Sequence, residues 1–189
     1  MTKQAVIVAG GLGSRFGGRT TLMPKGFIEI EGIPMVERSV QKLIKAGIEE
    51  IIIGTGHCSE WYDKLAEKYP CIKTVRNDDY ENTSSMGTLS VCVPYIKGSF
   101  LLLESDLIYD INGLSVLIND ERENVILASG PSNSHDEVFL KTNEEGNLIN
   151  VSKDKAIIPE PSGELVGITK ISKDAVLKMD NYYISNLDT

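Results

Sequence analysis

The sequence is poor in the residues that carry most redox and transition-metal chemistry. Of its 189 residues, three are cysteine and two are histidine. Cys58, Cys71 and Cys92 are an odd set with no C-x-x-C spacing, which argues against a disulfide framework and a zinc knuckle. They read as buried or half-buried thiols of a reducing compartment. His57 and His135 lie far apart, and His57 beside Cys58 makes two adjacent ligands without a third, too few for a transition-metal centre. Aromatic side chains are 6% of the chain, with one tryptophan, so little material exists for an aromatic cage. No apolar run approaches the ~18 residues of a membrane-spanning helix, and no charged-then-apolar leader precedes the first strand. A cytoplasmic protein without a membrane partner is expected. Positive charge is also short: 19 Lys and Arg stand against 27 Asp and Glu, a net charge of −8. A clustered basic face is the usual mark of a nucleic-acid partner, and none is expected here. An acidic protein can still bind a small polyanion, through backbone N–H groups and a few well-placed cations.

What is present is alternation. Residues 5–9 form a continuous apolar run, the mark of a strand buried on both faces. Val36, Val40, Leu43 and Ile44 share one helical face, and Gly47 follows as a stop. Residues 51–53 read as the next buried strand, 61–69 as a helix ended by Pro70, and 72–75 as a short strand. Met86, Leu89, Val93 and Ile96 make a further helical stripe that bends or ends near Pro94. Residues 100–103 and 125–128 are two more buried strands. After residue 135 the pattern becomes a hairpin: 138–141, a turn at Glu144-Glu145-Gly146-Asn147, then 148–151. A late strand at 163–171 and a short helix at 173–179 follow. Strand–helix–strand repeats predict an α/β fold with a mainly parallel sheet flanked by helices and a small β-hairpin element. No repeat, low-complexity tract or linker interrupts residues 1–189, so one domain is expected.

The first strand runs into Gly10-Gly11-Leu12-Gly13-Ser14-Arg15-Phe16-Gly17-Gly18-Arg19, and then Pro24-Lys25-Gly26. Glycines placed there allow close backbone approach to a ligand, and successive N–H groups make a concave site for phosphates. A Walker A loop needs Gly-Lys-Ser/Thr, whereas Lys25 is followed by Gly26 and Phe27. A dinucleotide fingerprint needs a glycine where Phe16 stands and an acid at the end of the next strand, which here ends in Gly54-Thr55-Gly56. Neither motif is present. Two further segments carry chemistry. Asn77-Asp78-Asp79-Tyr80-Glu81-Asn82-Thr83-Ser84-Ser85-Met86-Gly87 precedes a helix; a capping need accounts for one small polar residue, not for a run of them. Leu101-Leu102-Leu103-Glu104-Ser105-Asp106 puts acids at a strand's carboxyl end, where open α/β sheets bind ligands.

The pattern G-G-x-G-S-R-F, a spacer, and P-K-G-F-I-E-I-x-G-I-P-M-V resembles the signature of nucleotidyltransferases that join a nucleoside triphosphate to a phosphorylated sugar, alcohol or phosphonate. The resemblance runs from residue 4 to about Gly56 and returns at the strand ending in Asp106. It implies a Rossmann-like fold in which Ala9, Gly10, Gly11, Gly13, Ser14 and Arg15 surround the triphosphate. Lys25 would reach the α-phosphate, with Arg15 as a second catalytic cation, while Arg19 lies in a spacer whose length varies. Asp106 matches the magnesium ligand, and Mg²⁺ commonly takes one or two carboxylates plus phosphate and water. The N-T-S-S-M-G run is similar to that of cytidylyltransferases acting on 2-aminoethylphosphonate or phosphocholine. It implies that Asn82, Ser84, Ser85, Met86, Gly87 and Glu104 contact CTP, with Ser85 also near the acceptor.

The implied reaction is in-line attack of a phosphate or phosphonate oxygen on the α-phosphorus of CTP, with loss of pyrophosphate. The attacking oxygen is already ionised, so no general base is required. The implied acceptor is a phosphonate or phosphate monoester with a cationic tail. Few aromatics favour a primary ammonium over choline, with Asp136 for the ammonium and Lys153 for the phosphonate. Phosphocholine, a sugar 1-phosphate, and a CTP-binding module without turnover remain alternatives. Relatives in this family generally continue to a second acidic metal ligand, and no equivalent precedes Thr189. A piece of a longer protein, with weakened turnover, is the expectation.

Overall fold

The computed structural model describes residues 2–13, 22–133 and 135–187. They form two compact units, Met1–Val125 with Thr169–Thr189, and Ile126–Ile168. The first unit is built on four parallel strands: β1 (Gln4–Ala9), β4 (Glu50–Thr55), β5 (Ile72–Arg76) and β6 (Phe100–Glu104), in the order β5-β4-β1-β6. Between β1 and β4 lie a two-stranded antiparallel ribbon, β2 (Glu29–Ile30) with β3 (Ile33–Pro34), and helix α1 (Met35–Lys45). Continuous apolar runs become strands buried on both faces: Ala5, Val6, Ile7, Ile51, Ile52, Ile53, Leu101 and Leu103 are fully buried.

α1 buries Val36, Val40 and Leu43, and Gly47 ends it with φ +89°. Ile44, expected on that face, is 41% exposed, and Ile48 beyond the stop is buried in its place. α2 (Glu60–Lys68) stops before Pro70. α3 (Ser85–Cys92) passes into a 3₁₀ turn, Val93–Tyr95, at Pro94, as the proline predicts. One core cluster joins Val6 and Ile52 to Leu89 and Cys92 of α3 and to Val176 of α5 (Lys173–Ser185).

α5 runs on to Ser185, past the expected end at 179. Its last turns lack an apolar stripe, and Asp180 is tied to the Ser90 hydroxyl at 2.5 Å. Helix α4 (Ile111–Asn119) was not foreseen; its stripe is short, Leu114 and Leu117, and Gly113 breaks it. Asp110 caps α4 by accepting from the Asn112 N–H at 2.8 Å. Among the described residues no helix is long and apolar enough to cross a membrane.

The second unit holds most of β7 (Val125–Ser129), the hairpin β8 (Phe139–Thr142) and β9 (Leu148–Ser152), and the start of β10 (Gly163–Ile171). β8 pairs antiparallel with β9 and with β10. The hairpin stands where the sequence places it, and Gly146 takes φ +79° in its turn.

Gly54 shows how closely α3 lies on β4: a Cβ there would stand 2.7 Å from Thr88 Cγ2 and 2.9 Å from Cys92 Sγ. Gly54→Ala should therefore cost about 1–3 kcal/mol. Gly98→Ala, with nothing within 4 Å of its Cβ, should stay within about 0.5 kcal/mol. Urea denaturation of both variants measures the difference, and equal midpoints would contradict this packing.

Candidate functional site

Strand register assembles the site. Ala9 is level with Thr55, and Val8 is level with Glu104. The segments leaving β1, β4 and β6 therefore emerge side by side at one edge. Lys25 reaches that edge on a 3₁₀ turn, Lys25–Phe27, led in by the buried Pro24. Gly26 lets the turn lie flat on the end of β6: a Cβ would be 2.9 Å from the Ser105 carbonyl and 3.1 Å from the Tyr62 hydroxyl. Phe27 anchors the turn through edge-on packing with Tyr62, centroids 5.1 Å apart, and a tilted contact with Trp61 at 5.3 Å. So held, Lys25 Nζ forms an ion pair with Asp106 Oδ2, the two side chains being 36% and 15% exposed.

This pair lies in a hollow of about 150 Å³ that Ala9, Gly11, Gly13, Ser85 and Glu104 also line. Gly13 has φ +65°, and Gly11 has open space where a side chain would be. Tyr62, 1% exposed, closes the floor and hydrogen-bonds Ser105. Burial, above all, pushes its phenol above the ordinary tyrosine range; the Ser105 bond opposes this and the Asp106 charge adds to it. Sequence reasoning missed Tyr62. Its helix was legible, and Leu65 three residues on shares its buried face, but no spacing shows that this face meets β6.

A second hollow, of about 310 Å³, is lined by Gly10, Gly11, Thr83, Ser84, Ser85 and Thr88, and shares Val8, Gly11 and Ser85 with the first. Ser84 caps α3 by accepting from the Met86 N–H at 3.3 Å, and Ser85 begins the helix. Two of the residues singled out in the N-T-S-S-M-G run thus face the hollows, Ser84 and Ser85. The others make contacts within the protein. Asn82 donates to Asp79 Oδ1 at 2.6 Å, and Met86 packs on the core cluster. Gly87 is buried, where a Cβ would stand 2.5 Å from Thr83 Cβ and 2.7 Å from the Tyr183 hydroxyl. Ser14, Arg15 and Arg19 lie outside the described residues. Asp136 and Lys153, in the second unit, form an ion pair with each other at 2.9 Å.

A larger hollow, about 800 Å³, is at the opposite, amino end of the strands. Its lysines are already engaged: Lys3 with Glu49 and Lys97 with Glu50, each at 2.6 Å, and Lys170 Nζ with the Asp120 carbonyl at 2.6 Å. Burial, and then the Glu60 charge, push the Cys58 thiol upward, away from the thiolate that nucleophilic chemistry needs.

A glycine-lined hollow after a buried parallel strand, a lysine on a proline-led turn and a strand-end aspartate define the nucleotidyltransferase class of α/β site. The chain belongs to the MobA-like NTP transferase domain family, which it matches over residues 5–139. It is 32% identical over 105 residues to the 2-aminoethylphosphonate cytidylyltransferase of Lancefieldella rimae, covering 55% of this chain and 43% of that protein. It is 27% identical to the choline-phosphate cytidylyltransferase of Haemophilus influenzae, across 84% of this chain and 66% of that protein. The chain therefore spans less than two thirds of the length of these two relatives. The inositol-1-phosphate CTP transferase of T. maritima shares the fold, with a TM-score of 0.79 at 18% identity over 93% of this chain and 73% of that one.

Gly26→Ala should lift the lysine turn off Ser105, because the carbonyl 2.9 Å from the new Cβ is backbone and gives little. The expected cost is about 1–3 kcal/mol of stability, with weaker triphosphate binding. Chemical denaturation and calorimetric titration check the two effects, and an unchanged protein on both counts would remove Gly26 from the architecture of the site.

Proposed function

We propose that the chain transfers CMP from CTP to a small amino-alkyl phosphonate, 2-aminoethylphosphonate, releasing pyrophosphate; the phosphate monoester phosphocholine is the second choice of acceptor. The observation that carries this reading is the placement of Lys25 and Asp106 together beside Gly11, Gly13 and Ser85. The cytidylyl chemistry named for its relatives supports the choice of nucleotide. The aromatic content of 6% supports an ammonium over a quaternary amine.

In this mechanism the acceptor's ionised oxygen attacks the α-phosphorus in line, forming a new P–O bond, and the bond to the β-phosphate oxygen breaks. The task left to the protein is to hold two anions together and to balance charge as it shifts. The glycine backbone donates N–H groups to the phosphates, and Lys25 turns from Asp106 to the α-phosphate. Arg15 is the second cation proposed for the triphosphate.

The donor set suits a magnesium ion that arrives on the nucleotide. Asp106 offers hard carboxylate oxygens on the wall of the first hollow, and phosphate and water complete such a shell. Bound there with Asp106, the ion would neutralise phosphate charge.

Pyrophosphate release with CTP, ATP and GTP, each with 2-aminoethylphosphonate or phosphocholine, tests the proposal. CTP with the aminophosphonate should be fastest, and equal rates with all three nucleotides would refute it. Lys25→Ala should lower kcat by about 10²–10³-fold, the usual effect of removing one donor that stabilises transition-state charge, while the urea midpoint holds. A variant with near-normal turnover would take Lys25 out of the mechanism.

A further inference from the structure

Asn77 follows β5 and is 4% exposed. Its backbone N–H donates to the Thr55 carbonyl at 2.9 Å, which ties it to the end of β4. Its side-chain oxygen accepts from the Asp79 N–H at 3.1 Å, and this settles which way the amide points. Both hydrogens of Nδ2 are then directed at hydroxyls, Thr83 Oγ1 at 2.8 Å and Thr88 Oγ1 at 3.3 Å.

An amide nitrogen only donates, so both threonine oxygens accept, and each hydroxyl must give its own hydrogen to something else. Thr83 gives its hydrogen to the Asp79 carbonyl at 2.8 Å. Thr88 has no acceptor for its hydrogen among the described residues. Yet Thr88 is 3% exposed and lines the second hollow, its Oγ1 lying over the Gly10 backbone, where an added Cβ would collide with it. A buried donor without an acceptor is costly, so its placement on a ligand-sized hollow calls for a ligand oxygen.

We propose that Thr88 is a hydrogen-bond donor to the bound nucleotide and that Asn77 is the positioning residue that makes it one. By occupying a lone pair of Thr88, Asn77 leaves the hydroxyl hydrogen to point into the hollow. The acceptor is an oxygen of the nucleotide, on the pyrimidine ring or on a phosphate. This inference rests on the nucleotide reading above and adds a specificity-determining pair to it.

The test is calorimetric titration of the full chain with CTP and, separately, with inorganic tripolyphosphate. Thr88→Val removes the donor at nearly constant volume and should weaken CTP about tenfold, the size of one such hydrogen bond. Thr88→Ser keeps the hydroxyl and should stay within about twofold. Asn77→Asp replaces a donor by an acceptor, so the Thr88 hydroxyl turns to it; CTP should weaken comparably, and the Thr88→Val background should abolish that loss. Loss with both probes places the acceptor on the phosphates, and loss with CTP alone places it on the cytidine.

Unchanged CTP affinity in Thr88→Val overturns the proposal, as does an Asn77→Asp effect that persists undiminished in the double variant. The Val and Ser pair decides the matter by itself should Asn77→Asp fail to fold. The unsubstituted chain is the control for the underlying reading: if it binds no CTP, the nucleotide function falls, whereas CTP binding insensitive to these variants removes only the role of Asn77 and Thr88.

Discussion

The site depends on β1 being paired on both sides, with β4 and with β6, in a register that brings their carboxyl ends level. A parallel strand between two others has no free backbone groups along its length, so its exit is the first place where N–H groups point at solvent rather than at a ladder. That exit is the start of the glycine loop. The same pairing puts Ser105 and Asp106 beside it and fixes the floor onto which the Lys25 turn is laid. Sliding β6 by one residue would turn Leu101 and Leu103 toward the opposite face and carry Asp106 out of reach of Lys25.

The glycines around this edge do two different jobs. Gly11 and Gly13 leave room and backbone freedom for a ligand. Gly10, Gly26, Gly54 and Gly87 are sites where another element comes too close for a side chain, with Thr88, Ser105, Cys92 and Thr83 as the neighbours. α3 can therefore approach β1 and β4 closely enough to bring Thr88 and Ser85 to the hollows. A glycine-rich motif of this kind is as much a packing device as a phosphate cradle. At Gly87, expected from the sequence pattern to contact the ligand, the structure adds a packing need, since Thr83 and the Tyr183 hydroxyl leave no room for a side chain.

Most of the fold was legible because its signals are local. Continuous apolar runs marked the buried strands, and Gly47, Pro70 and Pro94 marked where helices stop or tighten. The β2–β3 ribbon and α4 were not foreseen, since two-residue strands and a two-leucine stripe carry almost no periodicity. Ile44 was misplaced for a related reason: the 36/40/43 face is complete without it. In the site, Lys25 and Asp106 could be named from the resemblance, but that Gly26 and Phe27 carry the lysine to the aspartate is a tertiary fact. Tyr62, Asn77 and Thr88 lie in segments that were read correctly as helix or loop. Their importance comes from which neighbour each faces, and one sequence does not encode that in any spacing.

On the proposed function, the pairing of Lys25 with Asp106 also bears on how an acidic protein would accept a triphosphate. With a net charge of −8 the chain supplies no general attraction for a polyanion, so affinity must come from local donors. Lys25 and Asp106 pair with each other, which keeps the lysine on the wall of the hollow. Exchanging Asp106 for a phosphate oxygen would replace one anionic partner of Lys25 by another, so the lysine's charge would stay matched. The same pairing supplies part of the side-chain order that binding a phosphate would otherwise require. On the proposed reaction Asp106 thus has two uses. It holds Lys25 beside the hollow, and its oxygens would serve a cation bound with the phosphates.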